Sequence, residues 1–424
     1  MKVGSKVGVI GAGIIGTTTA LALAEAGHAV TVFERNGTVA EESSFANAGV
    51  IAPGYVTPWA APGMPSKVLK QLFQTNSAVR WTPRFERAQT QWLWRWFKAC
   101  KRERYLANRT AMQQLALSSL EQLKRWRSDY DLQYEQQQGY LQLLRSEAEL
   151  EAARAGLDML KALGVGHELV DAARCYEIEP ALSRETPLQA ALSLPNDEVG
   201  NCRLFALQAR QIAESKGARF VFRASVEAIE PHSKTVGLRV ASMANPTETS
   251  NDEFDAVVLC GGVASRALLQ PLGMDIPLLP VWGYSISAPL QHEELGPRSG
   301  LMDERFKTSI TRLGLRVRVA GTAEIGAKPG VVNEKAVATL YDVLRDWFPS
   351  CAKLSKASVW MGARPMLPEG PPLIGSTPVA GVHLNLGHGS SGWALACGSA
   401  QLVAHSLAER AACPPAFALA RYGK

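Results

Sequence analysis

Lys6-Val7-Gly8-Val9-Ile10-Gly11-Ala12-Gly13-Ile14-Ile15-Gly16 opens the chain with an apolar run that stops on spaced glycines. Val7, Val9 and Ile10 read as a short parallel strand buried on both faces. The small and apolar residues 17–26 suit a helix closed by Gly27, and Ala29-Val30-Thr31-Val32-Phe33 reads as a second strand ending at Glu34. Strand, tight turn, helix, strand and terminal acid, in that order, make a dinucleotide fingerprint. Gly11 permits the turn, Gly13 lets the backbone approach a pyrophosphate, and Gly16 allows helix and strand to pack closely. The helix N-terminus, around Ala12, Ile14 and Ile15, offers unpaired N–H groups and a partial positive charge to the phosphates. Glu34, 18 residues after Gly16, suits ribose hydroxyls, and its charge opposes the extra phosphate of NADP. A glycine-rich turn without ligand would leave Glu34 unexplained. The fingerprint alone does not separate FAD from NAD.

The next residues favour FAD. Arg35 follows the acid directly, and Glu42-Ser43-Ser44-Phe45-Ala46-Asn47-Ala48-Gly49-Val50 is polar and small, then apolar and small. The hydroxyls of Ser43 and Ser44 can wrap a pyrophosphate, and backbone at Ala48, Gly49 and Val50 can lie against a flat ring. The plain alternative for this segment is a surface loop.

At 424 residues the chain has room for one large domain or two interlocked ones, and 46% hydrophobic with 20% charged residues is an ordinary globular composition. The 45 basic and 39 acidic residues leave a net charge of +6, too modest for a nucleic-acid binder. The seven cysteines are scattered and never form CxxC, so neither a zinc site nor a disulfide framework is expected. The apolar start runs straight into the glycine motif, unlike a signal peptide, and no window reaches the roughly 18 apolar residues of a membrane span. The expected location is the cytoplasm.

Further along stand Pro53-Gly54-Tyr55, Pro58-Trp59-Ala60-Ala61-Pro62-Gly63, Pro195-Asn196-Asp197-Glu198 and Val281-Trp282-Gly283-Tyr284-Ser285. With the segment Ser44 to Gly49 and the carboxy-terminal block described below, they resemble the D-amino acid oxidase superfamily of flavoproteins. Within it the likeness is to the small subunit of bacterial D-amino acid dehydrogenases, from end to end. Trp282 departs from that pattern, standing where a basic residue is common. The resemblance implies FAD, an amino-acid substrate, and a quinone or other respiratory electron acceptor. It also implies that Val226 holds the adenine edge through its backbone, which its apolar side chain does not itself suggest.

Residues 64–180 are mostly helical in pattern. Leu93, Trp96, Phe97 and Cys100 fall on one apolar helix face, with Trp94, Lys98 and Lys101 on another. An aromatic beside lysines suits either a helix packed between domains or peripheral contact with the inner face of the cell membrane. Residues 218–222 and 226–230 read as strands, and 254–260 as a buried strand ended by Gly261-Gly262, where small residues either let Cys260 and Gly261 pass close to FAD or make a plain turn. Residues 279–288, 307–311 and 315–321 suit an antiparallel sheet. The fold class is therefore α/β: a Rossmann-like FAD-binding domain interleaved with an α+β substrate domain. The approximate segments are 1–63, 181–278 and 360–424 for the first domain, and 64–180 and 279–359 for the second.

Residues 360–375, which include Gly362 and Arg364, are too rich in Gly and Pro for regular structure. A guanidinium matches a carboxylate bidentately, and the resemblance makes Arg364 the anchor of the substrate carboxylate beside the flavin. A strand at 382–386 leads to Gly387-His388-Gly389-Ser390-Ser391-Gly392-Trp393 and a final helix at 394–409. That helix N-terminus would stabilise negative charge on a reduced flavin, and His388 suits a flavin contact better than a catalytic base. Tyr284 is a candidate second partner of the substrate, and Tyr55 and Trp59 are candidate pocket walls; all three could equally be core. No general base stands out, and none is required if a neutral amine drives hydride transfer from the α-carbon to flavin N5, leaving an imine that hydrolyses to a 2-oxo acid. Rival readings are a D-hydroxyproline or D-proline dehydrogenase, a glycine- or sarcosine-type oxidase using oxygen, a non-catalytic flavin subunit, and an NAD-linked dehydrogenase.

Overall fold

In the computed structural model, which describes residues 1–71, 78–83, 86–245, 247–409 and 413–423, Lys6–Ile10 runs between two parallel neighbours, Ala29–Glu34 and Ala256–Leu259. Val7 and Val9 are therefore sealed on both faces, which only side chains without polar atoms tolerate. The sheet has six strands in the order Leu373–Ser376, Val382–Leu386, Ala256–Leu259, Lys6–Ile10, Ala29–Glu34 and Arg219–Phe222. Helices Ile14–Glu25, Arg102–Tyr130, Cys202–Ser215 and Gly392–Glu409 share one core beside it, built on residues such as Leu21, Leu123, Trp126, Phe205 and Leu395. The first helix starts at Ile14, earlier than the small-residue pattern predicts, because Thr17 N–H already bonds Gly13 O. The final helix likewise starts at Gly392, two residues before the predicted 394.

The strand predicted at 254–260 is two strands. Phe254 ends Thr249–Phe254, part of a three-stranded antiparallel sheet with Ala224–Pro231 and Val236–Ser242, and Ala256 begins the parallel strand. Asp255 makes the break: its N–H bonds Lys6 O and its carboxylate accepts from Lys6 N–H.

A ten-stranded sheet forms the other layer. Its main path runs Ser358–Met366, Leu279–Pro289, Arg316–Ile325, Thr308–Leu313, Gly300–Asp303, Gln137–Leu144, Ala190–Val199 and Val50–Ile51. Val79–Trp81 and Glu168–Asp171 pair alongside. Helix Glu334–Trp347 covers one face through Leu340, Val343 and Trp347, which share a core with Tyr284, Ile286 and Val319.

Three expectations need correction. Residues 360–375 are largely extended: Ser358–Met366 and Leu373–Ser376 are strands. Pro365 is tolerated because its strand lies at the sheet edge, where a missing N–H removes little from the ladder. The helical stretch 64–180 also contains the strands Gln137–Leu144 and Glu168–Asp171, drawn into the large sheet. On helix Arg87–Ala99 the buried face centres on Gln89, Trp92 and Ala99, while Phe97 is 63% and Trp94 57% exposed. The Trp92 indole donates to Met366 O at 3.0 Å, which turns that face inward.

The segments are also interleaved more finely than the sequence suggests. Ala190–Val199 and all but the first two residues of Ser358–Met366, grouped with the nucleotide segments, pair into the ten-stranded sheet, whereas Arg102–Tyr130, grouped with the substrate segments, packs on the first and final helices. Among the described residues no helix is long and apolar enough to cross a membrane.

Candidate active site

The two large sheets enclose a cavity of about 620 Å³. At one end stands the fingerprint. Gly11 has φ +94°, and a Cβ there would lie 3.0 Å from Cys260 O. At Gly16 a Cβ would lie 1.8 Å from Gly11 O, so this glycine is required for helix–strand packing and does not itself line the cavity. Ala12 is also set back from it: its N–H donates to Glu34 Oε2 at 2.7 Å. Glu34 Oε1 accepts from the backbone and side chain of Asn36, at 2.9 and 2.8 Å. Ile14 N–H donates to Ser44 Oγ at 3.0 Å. Two of the amides expected to be free are thus occupied, while those of Gly13 and Ile15, both cavity-lining, bond to no described residue. Arg35 lies at the rim and pairs with Glu42.

Residues 43–50 cross the middle, clamped from the ten-stranded sheet. Ser43 Oγ donates to Ala363 O at 2.5 Å, Ser285 Oγ to Ala46 O at 2.8 Å, and Thr311 Oγ1 to Ala48 O at 2.8 Å. Buried Arg318 donates to Asn47 O at 3.2 Å, its pKa pushed down to about 10 by burial. Ser44, Ala48, Gly49 and Val50 line the cavity, and Val226, Cys260 and Gly261 border it from the nucleotide side. Sequence pattern pointed to the 43–50 segment and to the Ser43 hydroxyl, which is spent on Ala363 O and not left for a pyrophosphate, but not to the hydroxyls of Ser285 and Thr311.

Gly387, Gly389, Ser390, Gly392 and Trp393 line the cavity from the last strand and helix. Trp393 also anchors that helix, with its indole donating to Gly200 O at 3.3 Å and its ring 4.8 Å from Phe205. His388 is 2% exposed, and burial pushes its pKa down to about 3. A nitrogen that holds a proton so weakly is a poor base near neutrality. Its Nε2 is a buried polar atom without a partner among the described residues, as is the Oδ1 of Asn385, a cavity residue the sequence reading missed. A polar residue between Leu384 and Leu386 in a buried strand was the available signal.

Arg364 is half-buried at the cavity wall, with Gly362 two residues before it on the same strand. Its Nη1 donates to Thr322 O at 2.8 Å and to Trp282 O at 3.5 Å, and among the described residues it has no acidic partner. Burial pushes its pKa down to about 10, so it stays charged at neutral pH. Tyr284 borders the cavity but does not offer its hydroxyl there. That group donates to Glu324 Oε2 at 2.8 Å, on the sheet face opposite Gly283 and Arg364. The reading of Tyr284 as a direct substrate partner is corrected accordingly. Tyr55 and Trp59 do line the cavity, as do the unpredicted Tyr140, Lys307, Ser309 and Trp360. Tyr55 packs 5.8 Å from Tyr140, and burial, then neighbouring Glu304, holds its hydroxyl protonated. The Trp282 side chain is not among the lining residues.

This lining fits a flavin dinucleotide. A glycine cradle and open amides stand beside an acid, and two lining residues, His388 and Asn385, each carry a buried polar atom that no described residue satisfies. The chain matches the family model described as DAO, FAD dependent oxidoreductase, over residues 6–406. It is 39% identical over 401 residues to a D-amino acid dehydrogenase of Vibrio cholerae, covering 94% of each chain. It is 41% identical over 404 residues to one of Bradyrhizobium diazoefficiens, covering 95% of this chain and 94% of that one. Among solved structures, glycine oxidase from Geobacillus kaustophilus superposes with a TM-score of 0.76 at 20% identity, covering 98% of this chain and 99% of that one. L-proline dehydrogenase from P. horikoshii gives 0.73 at 17% identity, with coverage of 100% and 98%. The chain belongs to the DAO family of FAD-dependent oxidoreductases.

Proposed function

We propose that this chain is a D-amino acid dehydrogenase, oxidising the Cα–N bond of a D-amino acid to an imine that hydrolyses to a 2-oxo acid and ammonia. The observation that carries the reading is Arg364: a guanidinium at the wall of the flavin cavity, held by carbonyls and facing no carboxylate among the described residues, suits a substrate carboxylate. Relatives bearing that activity, 39% and 41% identical over 94% and 95% of this chain, supply the substrate class. Bound FAD supplies the two-electron acceptor. The protein's own contribution is positional: Arg364 fixes one end of the substrate, Tyr55 and Tyr140 wall it, and buried, neutral His388 offers a hydrogen bond without a proton-transfer role.

The finer parts of the reading are a small-subunit role in a bacterial dehydrogenase, a quinone-type acceptor, and residence in the cytoplasm against the inner face of the membrane. The exposed Trp94 and Phe97, on the helix that lends Leu93 and Trp96 to the cavity, support the last two.

The test is anaerobic reduction of the FAD-loaded chain across D- and L-amino acids, with reoxidation by quinone and a peroxide assay in air. D-amino acids should bleach the flavin, L-amino acids should not, and peroxide should form slowly. Arg364→Ala should lower kcat/KM by about a thousandfold while FAD stays bound. An FAD-loaded wild type that no D-amino acid bleaches would sink the proposal, and rapid peroxide release would reassign the chain to the oxidases.

A further inference from the structure

Two strands lose their regular register beside Arg364. Trp282 pairs with Glu324 and Tyr284 with Gly321, so Thr322 and Ala323 together stand opposite the single residue Gly283. This is a β-bulge, a device that bends a strand and re-aims its groups. Inside it Thr322 has φ +58°, a left-handed backbone that a β-branched residue rarely adopts. Such a conformation persists only where the surroundings impose it.

The surroundings are specific. The Tyr284 hydroxyl donates to Glu324 Oε2 at 2.8 Å and the Asn333 amide donates to the same oxygen at 3.1 Å. Asn333 is the N-cap of Glu334–Trp347, accepting from Ala336 N–H at 3.2 Å. The two shoulders of the bulge are thus bridged by one hydrogen bond, and the bridge is tied to a helix end. Both partners are sealed, Tyr284 at 1% and Glu324 at 7% exposure.

The bulge has an evident beneficiary. Thr322 O receives Arg364 Nη1, and the guanidinium lies across bare backbone at Gly283, where a Cβ would sit 2.4 Å from either terminal nitrogen. A long arginine side chain loses considerable rotamer freedom when fixed, so a rigid acceptor in the right place matters. We propose that Tyr284 and Glu324 are positioning residues, whose hydrogen bond locks the Thr322–Ala323 bulge so that the Thr322 carbonyl holds Arg364 ready for the substrate carboxylate. The proposal rests on the carboxylate role given to Arg364 above.

The test uses the FAD-loaded full chain with D-alanine and D-alaninamide, which differ only in the carboxylate, and a dye as acceptor. Tyr284→Phe removes one hydroxyl and keeps the ring. It should raise KM for D-alanine about tenfold with kcat within about twofold, narrowing the preference for the acid over the amide by the same factor. Glu324→Leu should narrow it equally, Glu324→Gln less, because an amide oxygen can still accept from Tyr284. Arg364→Ala, measured in parallel, should abolish the preference. If Arg364→Ala abolishes it while FAD-loaded Tyr284→Phe and Glu324→Leu preserve it, the bulge lock is wrong and the carboxylate reading stands. If Arg364→Ala preserves it, both fail. Should Tyr284→Phe not retain FAD, the two Glu324 variants decide, and equal losses from Gln and Leu overturn the lock.

Discussion

Gly16, in the nucleotide cleft, and Gly283, beneath Arg364, are both positions that a methyl group would disturb, yet the obstacles differ in kind. At Gly16 the Cβ would meet a backbone carbonyl oxygen, Gly11 O, at 1.8 Å. At Gly283 it would meet the tip of a side chain, the Arg364 guanidinium, at 2.4 Å. A carbonyl within a strand-to-helix turn cannot yield without moving the turn, whereas a guanidinium can swing aside. The nucleotide end is therefore specified by main chain, through turns, open amides and close approach. The substrate end is specified by side chains braced against one another.

That contrast can be broken by making the same small change at each end. Gly16→Ala should have the largest effect in the molecule: chain recovered without FAD, or unfolded, read from flavin absorbance per chain and a thermal melt. Full FAD occupancy in that variant would mean that the turn is more pliable than the contact implies. Gly283→Ala should keep FAD and fold but displace Arg364, lowering kcat/KM about ten- to a hundredfold, mostly through KM. If it releases the flavin instead, the distinction between the two ends collapses.

The same distinction explains what could be read from the amino acids in advance. The fingerprint was legible because its geometry requires glycine at fixed offsets and an acid at the end of the next strand, all within 29 residues of Lys6. Most fingerprint and flavin-loop residues named from the sequence do border one cavity. The bulge was not legible. Nothing local marks Thr322 for φ +58°; it sits in a bulge whose shoulder Glu324 is held by Tyr284 from another strand and by Asn333 at a helix end. Tyr284 was singled out from a motif, but its partner Glu324 lies 40 residues away, so its role was read one step too close to the substrate. The strand Ser358–Met366 was hidden for another reason. Gly362, a residue that usually weakens a strand, has the Trp360 ring lying over it, where a Cβ would come within 1.9 Å. Phe97 misled through periodicity alone, which cannot say which of two adjacent aromatic stripes a neighbouring sheet will cover.

The smallest of the expected effects separates the two ends by their carboxylates. Glu34 accepts three hydrogen bonds, two of them from backbone amides. Asp197, 3% exposed on Ala190–Val199, accepts one, from Gly54 N–H at 2.9 Å, and so fixes the turn that presents Tyr55 to the cavity. Burial pushes the Asp197 pKa up to about 7, with Glu198 adding to the rise and Gly54 N–H and Lys124 opposing it. The folded chain therefore keeps a proton that the unfolded chain has already lost at the same pH. Stability from this group is complete below the ordinary carboxylate range and is lost as pH rises through about 7. Asp197→Asn keeps an oxygen for Gly54 N–H and has no proton to lose. Its melting temperature relative to wild type should therefore climb between about pH 5 and about pH 8, by an amount on the order of a kcal/mol or more in stability. Melts at saturating FAD would measure it. A difference that stays flat across that range would mean that Asp197 is ionised throughout, and that the turn carrying Tyr55 is held by a charge-assisted bond instead.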